Sequence, residues 1–275
     1  MSTIYDSMLS MYNLTTPESK RNATFEVCQQ IALSGLADGG FFNKAAFYGG
    51  TCLRIFHNLN RFSEDMDFSL LTQDETFNFE SYFPSIIDAF SAVGREHVEI
   101  TKKNKKNFGC VESAFLKDDT DIYDVTFKTE RAIRIKIEVD TYPPINFSTE
   151  QKLMLMPKST LVRCYTLPDL FAGKIHALVY RDWKNRVKGR DWYDFEWYVR
   201  HGVKLNFEHL YERIKQFNNK EITRDEFQII LENKLRTTNI EMVKADVRPF
   251  IKNEEELNIW SNEYFIQLAN MIKFE

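Results

Sequence analysis

With 275 residues, the chain is long enough for one large domain or two modest ones with a real buried core. A net charge of -4 excludes a generally basic nucleic-acid sleeve and leaves only local basic patches for that role. Cys28, Cys52, Cys110 and Cys164 form no CxxC pair and have no histidine at zinc-ligand spacing, and no basic leader or run of ~18 apolar residues appears, so neither disulfides, structural zinc, secretion nor a membrane span is expected and the expected compartment is the cytoplasm.

Residues 1 to about 45 read as helices, with apolar positions at helical spacing through FEVCQQIALSGLADGGFF. A strand begins near Ala46, the glycines of AFYGG end it, LRIFHNL suits a short helix and MDFSLL a second strand. PSIIDAFSAVG, residues 84–94, is an amphipathic helix, and HVEITKKN, CVESAFLK, YDVTFKT and IRIKIEVDTY carry the alternation of strands with one exposed face. Beyond VRCYT only helices are expected, over 167–181, 191–201, 206–218, 223–235 and 253–272. Thr166 with Asp169 and Thr223 with Glu226 have capping-box spacing and mark two of those starts. The reading is α/β, with a mixed sheet and flanking helices over 1–160 and a helical domain over 161–275.

On a strand, Asp65 and Asp67 point the same way, while Met66 and Phe68 enter the opposite layer. Two carboxylates on one surface repel unless a cation sits between them, and Mg²⁺ takes oxygen ligands of this kind beside substrate phosphates. A solvated strand edge or a turn is the alternative for an isolated DxD. IRIKIEVD adds Asp140 at the end of another strand, with Lys136 and Glu138 on its face. Gly49-Gly50-Thr51 forms a strand-to-helix turn whose amides, with no Cβ in the way, suit phosphate oxygens.

GG-T-x-L-R, R-F-S-E-D-M-D-F and K-I-E-V-D together resemble the polymerase-β-like nucleotidyltransferases, specifically AbiEii-type abortive-infection toxins and the related MenT-type toxins. The resemblance spans about residues 46–200 and includes FAGKIHALVYR and KGRDWYDFEWY. It implies a nucleotidyltransferase fold in which Asp65 and Asp67 bind metal ions carrying a nucleoside triphosphate, and Asp140 completes the site or serves the attacking hydroxyl as base. Gly49, Gly50, Thr51, Arg54, Ser63 and Lys136 become nucleotide-binding candidates; Ser63 alternatively shapes the turn. Mg²⁺ is the implied cofactor, with Mn²⁺ as the alternative, and NTP the substrate.

The same resemblance implies that Lys174 contacts the triphosphate and that Asp191 belongs to the active site, orienting Lys174 or moving a proton. Read alone, Lys174 borders an apolar stripe and can snorkel, and Asp191 can cap a helix after Gly189. Asp194 has i,i+4 spacing to Arg190. Arg181, on the Lys174 face, is a further contact to nucleotide or RNA. Two basic islands, Lys102, Lys103, Lys105 and Lys106, then Lys184, Arg186, Lys188 and Arg190, are candidates for nucleic-acid phosphates, the second interleaved with Trp183 and Trp192. The implied function is nucleotide transfer to an RNA, with tRNA the acceptor suggested by relatives, by the toxin of a bacterial toxin–antitoxin or phage abortive-infection system with a cognate antitoxin. A silent nucleotide- or RNA-binding module, or a protein-modifying transferase, are the alternatives.

Overall fold

A threonine starts each of the first two helices. Thr3 accepts from the Asp6 amide ahead of α1 (Ile4–Leu9), and Thr16 accepts from the Ser19 amide ahead of α2 (Pro17–Asp38), where Pro17 is tolerated in the first turn. The computed structural model describes residues 3–103, 120–127, 133–181 and 187–275. These fall into two compact units: Met1–Asn58, Ser63–Pro143 and Thr149–Cys164 make the first, Leu59–Phe62, Pro144–Ser148 and Tyr165–Glu275 the second.

The first unit is built on a seven-stranded mixed sheet. Its strands are β1 (Ala45–Tyr48), β2 (Met66–Leu70), β3 (Val98–Lys102), β4 (Thr120–Phe127), β5 (Arg134–Asp140), β6 (Thr149–Met154) and β7 (Thr160–Tyr165), in the spatial order β3-β4-β5-β2-β1-β7-β6. Pairings are antiparallel for β1–β2, β3–β4 and β4–β5, and parallel for β2–β5 and β1–β7. On β2 and β5, Met66, Phe68, Ile135, Ile137 and Val139 are buried on one face, as period-two alternation requires. Phe41 gathers Phe68, Phe79 and Tyr82 edge-on at centroid separations of 5.1 to 5.5 Å, a geometry that suits the ring quadrupoles. Helix α3 (Gly49–His57) follows β1 directly, and α4 (Phe83–Ala92) packs on α2.

The second unit comprises α5 (Leu167–Tyr180), α6 (Gly189–Arg200), α7 (Phe207–Asn218), α8 (Arg224–Thr237), α9 (Ile240–Val247) and α10 (Asn262–Ala269). It is not purely helical: β8 (Lys204–Leu205) and β9 (Lys273–Phe274) form a parallel two-stranded pair, too short for any sequence periodicity to announce. Helix α9 and strand β6 are further elements beyond those the spacing predicts, β6 because TEQKLM has little β-branched content. Of the two proposed capping boxes, Thr223 with Glu226 is formed reciprocally. Thr166 is not a side-chain cap; its hydroxyl donates to the Asp169 carboxylate at 2.6 Å, which also takes the Ser148 amide and the Asn206 side chain. The CVESAFLK strand, with Cys110, lies outside the described residues; Cys28, Cys52 and Cys164 are buried. Among the described residues no helix is long and apolar enough to cross a membrane.

Candidate functional site

In the first unit, the chain leaves β1 at Tyr48 and enters α3 through Gly49, whose φ of +80° an L side chain resists. A Cβ on Gly49 would also overlap the Asp67 carboxylate oxygen, so the absent side chain is what lets the acid lie against the turn. Tyr48, at the N-cap, supplies no side-chain cap to the first-turn amides of α3, the end of a helix that favours anions. The buried Thr51 hydroxyl donates to the Asp65 carbonyl, and Gln29 of α2 donates to the Ser63 and Glu64 carbonyls at 3.0 Å each. Thr51 therefore fastens the turn to the acidic loop, and Ser63 is held through its backbone. Asp65 stands one residue before β2 rather than on it. Arg54, a nucleotide-binding candidate, is half-buried against Glu26 at 2.8 Å.

Register decides which carboxylates share a face. In the parallel β2–β5 pair, Asp67 lies opposite Glu138 and Ser69 opposite Asp140, and paired residues project to the same side. Asp140 thus shares the Asp67 face but stands one pleat further along, buried, its Oδ1 accepting the Tyr142 amide at 3.1 Å. The carboxylate directly across from Asp67 is Glu138, paired with Lys136. Burial would lower the Lys136 ammonium, but Glu138, with Asp65 and Asp67 close enough to contribute, holds it above the ordinary lysine value.

This donor set is all oxygen, of the type hard divalent cations select, and a lysine ammonium already lies within the influence of both aspartates. Among the described residues no group of three or more His, Cys, Asp or Glu gathers closely enough to enclose an ion. Such a site fits Mg²⁺, which binds through one or two carboxylates and completes its shell with water and substrate phosphates.

The second unit holds a separate constellation of charges. Lys174 Nζ, on α5, donates to Asp191 Oδ1 and lies equally near Asp194 Oδ2, both at 2.9 Å and both on α6. Arg61 grips Asp194 with two N–H bonds of 2.6 Å, and Arg181 Nη1 reaches Asp191 Oδ2 at 2.8 Å. Arg61, Asp191 and Asp194 are at most 2% exposed. Burial would push Lys174 down, yet Asp191 and Asp194 raise it above its usual value; burial would raise Asp191, yet Arg181 and Lys174 hold it far below the carboxylate range. Lys174 is a fixed cation at neutral pH, and Asp191, in the first turn of α6 rather than at its cap, is a weak base suited to orienting it.

Arg61, the first residue of the RFSEDMDF motif, is a functional residue that spacing does not single out, since nothing in the local pattern joins it to Asp194, 133 residues away. Asp194 meets Arg61 and Lys174, while the Arg190 guanidinium lies 4.0 Å from the Phe250 ring centroid. Lys102 pairs with Asp121 and Lys103 with Asp124, both at 3.1 Å, so each meets a carboxylate on the sheet. Lys105, Lys106, Trp183, Lys184 and Arg186 lie outside the described residues. Lys188 is part-buried at the start of α6.

None of the curated proteins matches the chain in sequence. Among solved structures, MenT4, the nucleotidyltransferase toxin Rv2826c from Mycobacterium tuberculosis H37Rv, is similar at TM-score 0.57 and 15% identity, over 96% of this chain and 93% of that one, a likeness of fold. A putative nucleotidyltransferase from H. pylori aligns at TM-score 0.47 and 19% identity over 90% of this chain and 92% of its own. JHP933 from Helicobacter pylori aligns at 0.49 and 18% over 91% and 90%, and neither score carries weight for the fold. A family model described as nucleotidyl transferase AbiEii toxin, type IV TA system, matches residues 31–268. The chain belongs to the AbiEii nucleotidyltransferase toxin family.

Proposed function

We propose that this nucleotidyltransferase transfers a nucleotide from an NTP to an RNA acceptor, tRNA in the first instance, and that it does so in the bacterial cytoplasm as the toxin of an abortive-infection pair with a cognate antitoxin. The observation that carries the reading is the packing of the Asp67 carboxylate, on β2, against Gly49, which sets a metal-seeking acid beside an anion-seeking helix start. When bound, Mg²⁺, with Mn²⁺ as the alternative, would neutralise triphosphate charge and lower the pKa of the acceptor hydroxyl. Asp65 and Asp67 would hold it. The amides of Gly49 and Gly50 take phosphate oxygens, and Thr51 keeps that turn and Asp65 in register. Lys136 contributes positive charge beside the phosphates, and Glu138, opposite Asp67, takes the third acidic position ahead of Asp140. Lys174 supplies a permanent positive charge to transfer, with Asp191 orienting it.

Incubation with each labelled NTP, Mg²⁺ and either total RNA or total protein tests the reading and separates the RNA acceptor from a protein one. Label is expected in RNA, and Asp67→Ala is expected to reduce transfer by roughly 10²–10³-fold or more, the scale of losing one group that stabilises developing charge. Undiminished transfer by Asp67→Ala would exclude this site. Glu138→Gln is expected to cost more activity than Asp140→Asn; the reverse order would return the third position to Asp140.

A further inference from the structure

Where α5 ends, α6 begins and α8 gives way to α9, the second unit contains a cavity of about 240 Å³. Three cations line it, Arg181, Lys188 and Lys234, together with Thr237 and Thr238 and a single carboxylate, Asp191. That carboxylate is already engaged on both oxygens, by Lys174 and by Arg181. Lys188 and Lys234 are both part-buried, and among the described residues no carboxylate forms an ion pair with either. Two ammonium groups partly withdrawn from water in one concavity are costly unless an anion joins them. Burial, reinforced by the Arg181 charge and only partly opposed by Asp191, pushes Lys188 down to about 7, the direction expected of a cation whose nearby carboxylate is already engaged by other cations.

We propose that this cavity is a phosphate subsite in which Lys188, Lys234 and Arg181 hold one phosphodiester of the RNA acceptor strand. Its volume lies below the roughly 300–1,000 Å³ of sites that enclose a drug-sized ligand, so it accommodates a phosphate with its sugar rather than a whole nucleoside triphosphate. The Thr237 and Thr238 hydroxyls, which donate to the Asn233 and Lys234 carbonyls at 2.8 and 2.7 Å, keep their lone pairs for the ribose hydroxyl. The assignment of the phosphate to RNA rests on the acceptor proposed above.

The test is equilibrium binding of a fluorescently labelled single-stranded RNA 12-mer to the full-length protein in EDTA over a KCl series, with inorganic phosphate and metal-free ATP as competitors. Lys234→Gln and Lys188→Gln, each checked for native thermal unfolding, are expected to weaken RNA binding about tenfold. Each is expected to flatten the dependence of log K on log salt by about 0.7, the value for one lost phosphate contact on a single strand. Unchanged affinity and slope in the Lys188→Gln/Lys234→Gln double variant would overturn the subsite. Phosphate or ATP binding that depends on Lys234 without RNA binding would overturn the RNA assignment and give the pocket to a free nucleotide. Lys234-dependent RNA binding by a protein that transfers no nucleotide would refute the proposed reaction and leave the subsite standing.

Discussion

At the scale of residues, the second unit holds both ion-paired buried charges and, among the described residues, part-buried cations with no ion-paired carboxylate. Asp194 is fully buried and takes two N–H bonds of Arg61, so Arg61→Ala leaves a carboxylate paired, among the described residues, with Lys174 alone. The expected loss is about 3–5 kcal/mol of stability, the cost of breaking rather than replacing a buried pair, and urea denaturation measures it. Arg61→Leu combined with Asp194→Leu should recover part of that loss, since the desolvation of both ions disappears with them. Lys188 behaves oppositely. Burial first, then the Arg181 charge, with Arg190 and Lys174 adding to it and Asp191 opposing, push its ammonium down to about 7 from the ordinary 10.5. The unfolded chain holds that proton throughout the interval, so this lysine costs stability fully below about pH 7 and the cost is relieved as pH climbs toward 10.5. Lys188→Met is therefore expected to raise the urea midpoint at pH 6, with the gain shrinking at pH 9 to 10. A gain that grows with pH would contradict the assignment.

At the scale of elements, two glycines set how closely parts of the chain approach. Gly49 combines positive φ with direct contact to the Asp67 carboxylate, so Gly49→Ala strains the β1–α3 turn and displaces the acid together. A stability loss of roughly 1–2 kcal/mol is expected from the left-handed backbone alone, with transfer falling much further than thermal stability. Gly189 works through a helix crossing: a Cβ there would overlap the Val243 carbonyl oxygen, where α6 meets α9, and the Gly189 amide donates to Asp246 at 2.8 Å. Gly189→Ala should cost about 1–3 kcal/mol through overpacking, read as a lower denaturant midpoint. A neutral result would mean that α9 yields readily.

Over the whole molecule, what the sequence made legible was local. The order strand, helix, strand across residues 45–70, the period-two alternation of IRIKIEVD and most helices of the second unit follow from residue spacing alone, because one side of each element is buried. What is not legible locally depends on pairing across long separations. The β2–β5 register, which sets Glu138 rather than Asp140 opposite Asp67, cannot be read from either strand, since both acids alternate onto the same face. Arg61 finds its partner 133 residues away at Asp194, and the cavity drawing on Arg181, Lys188 and Lys234 requires three helices to be folded. The two-residue strands β8 and β9 carry no periodicity to detect. The central claim is that the glycine turn and the two acids of the first unit receive the triphosphate with its metal. Anomalous diffraction from crystals grown with Mn²⁺ and a non-hydrolysable NTP analogue tests it most directly. The expected result is a manganese peak liganded by the Asp65 and Asp67 carboxylates with phosphate oxygens on the Gly49 and Gly50 amides; a triphosphate and metal bound elsewhere, with those two carboxylates uncoordinated, would contradict it.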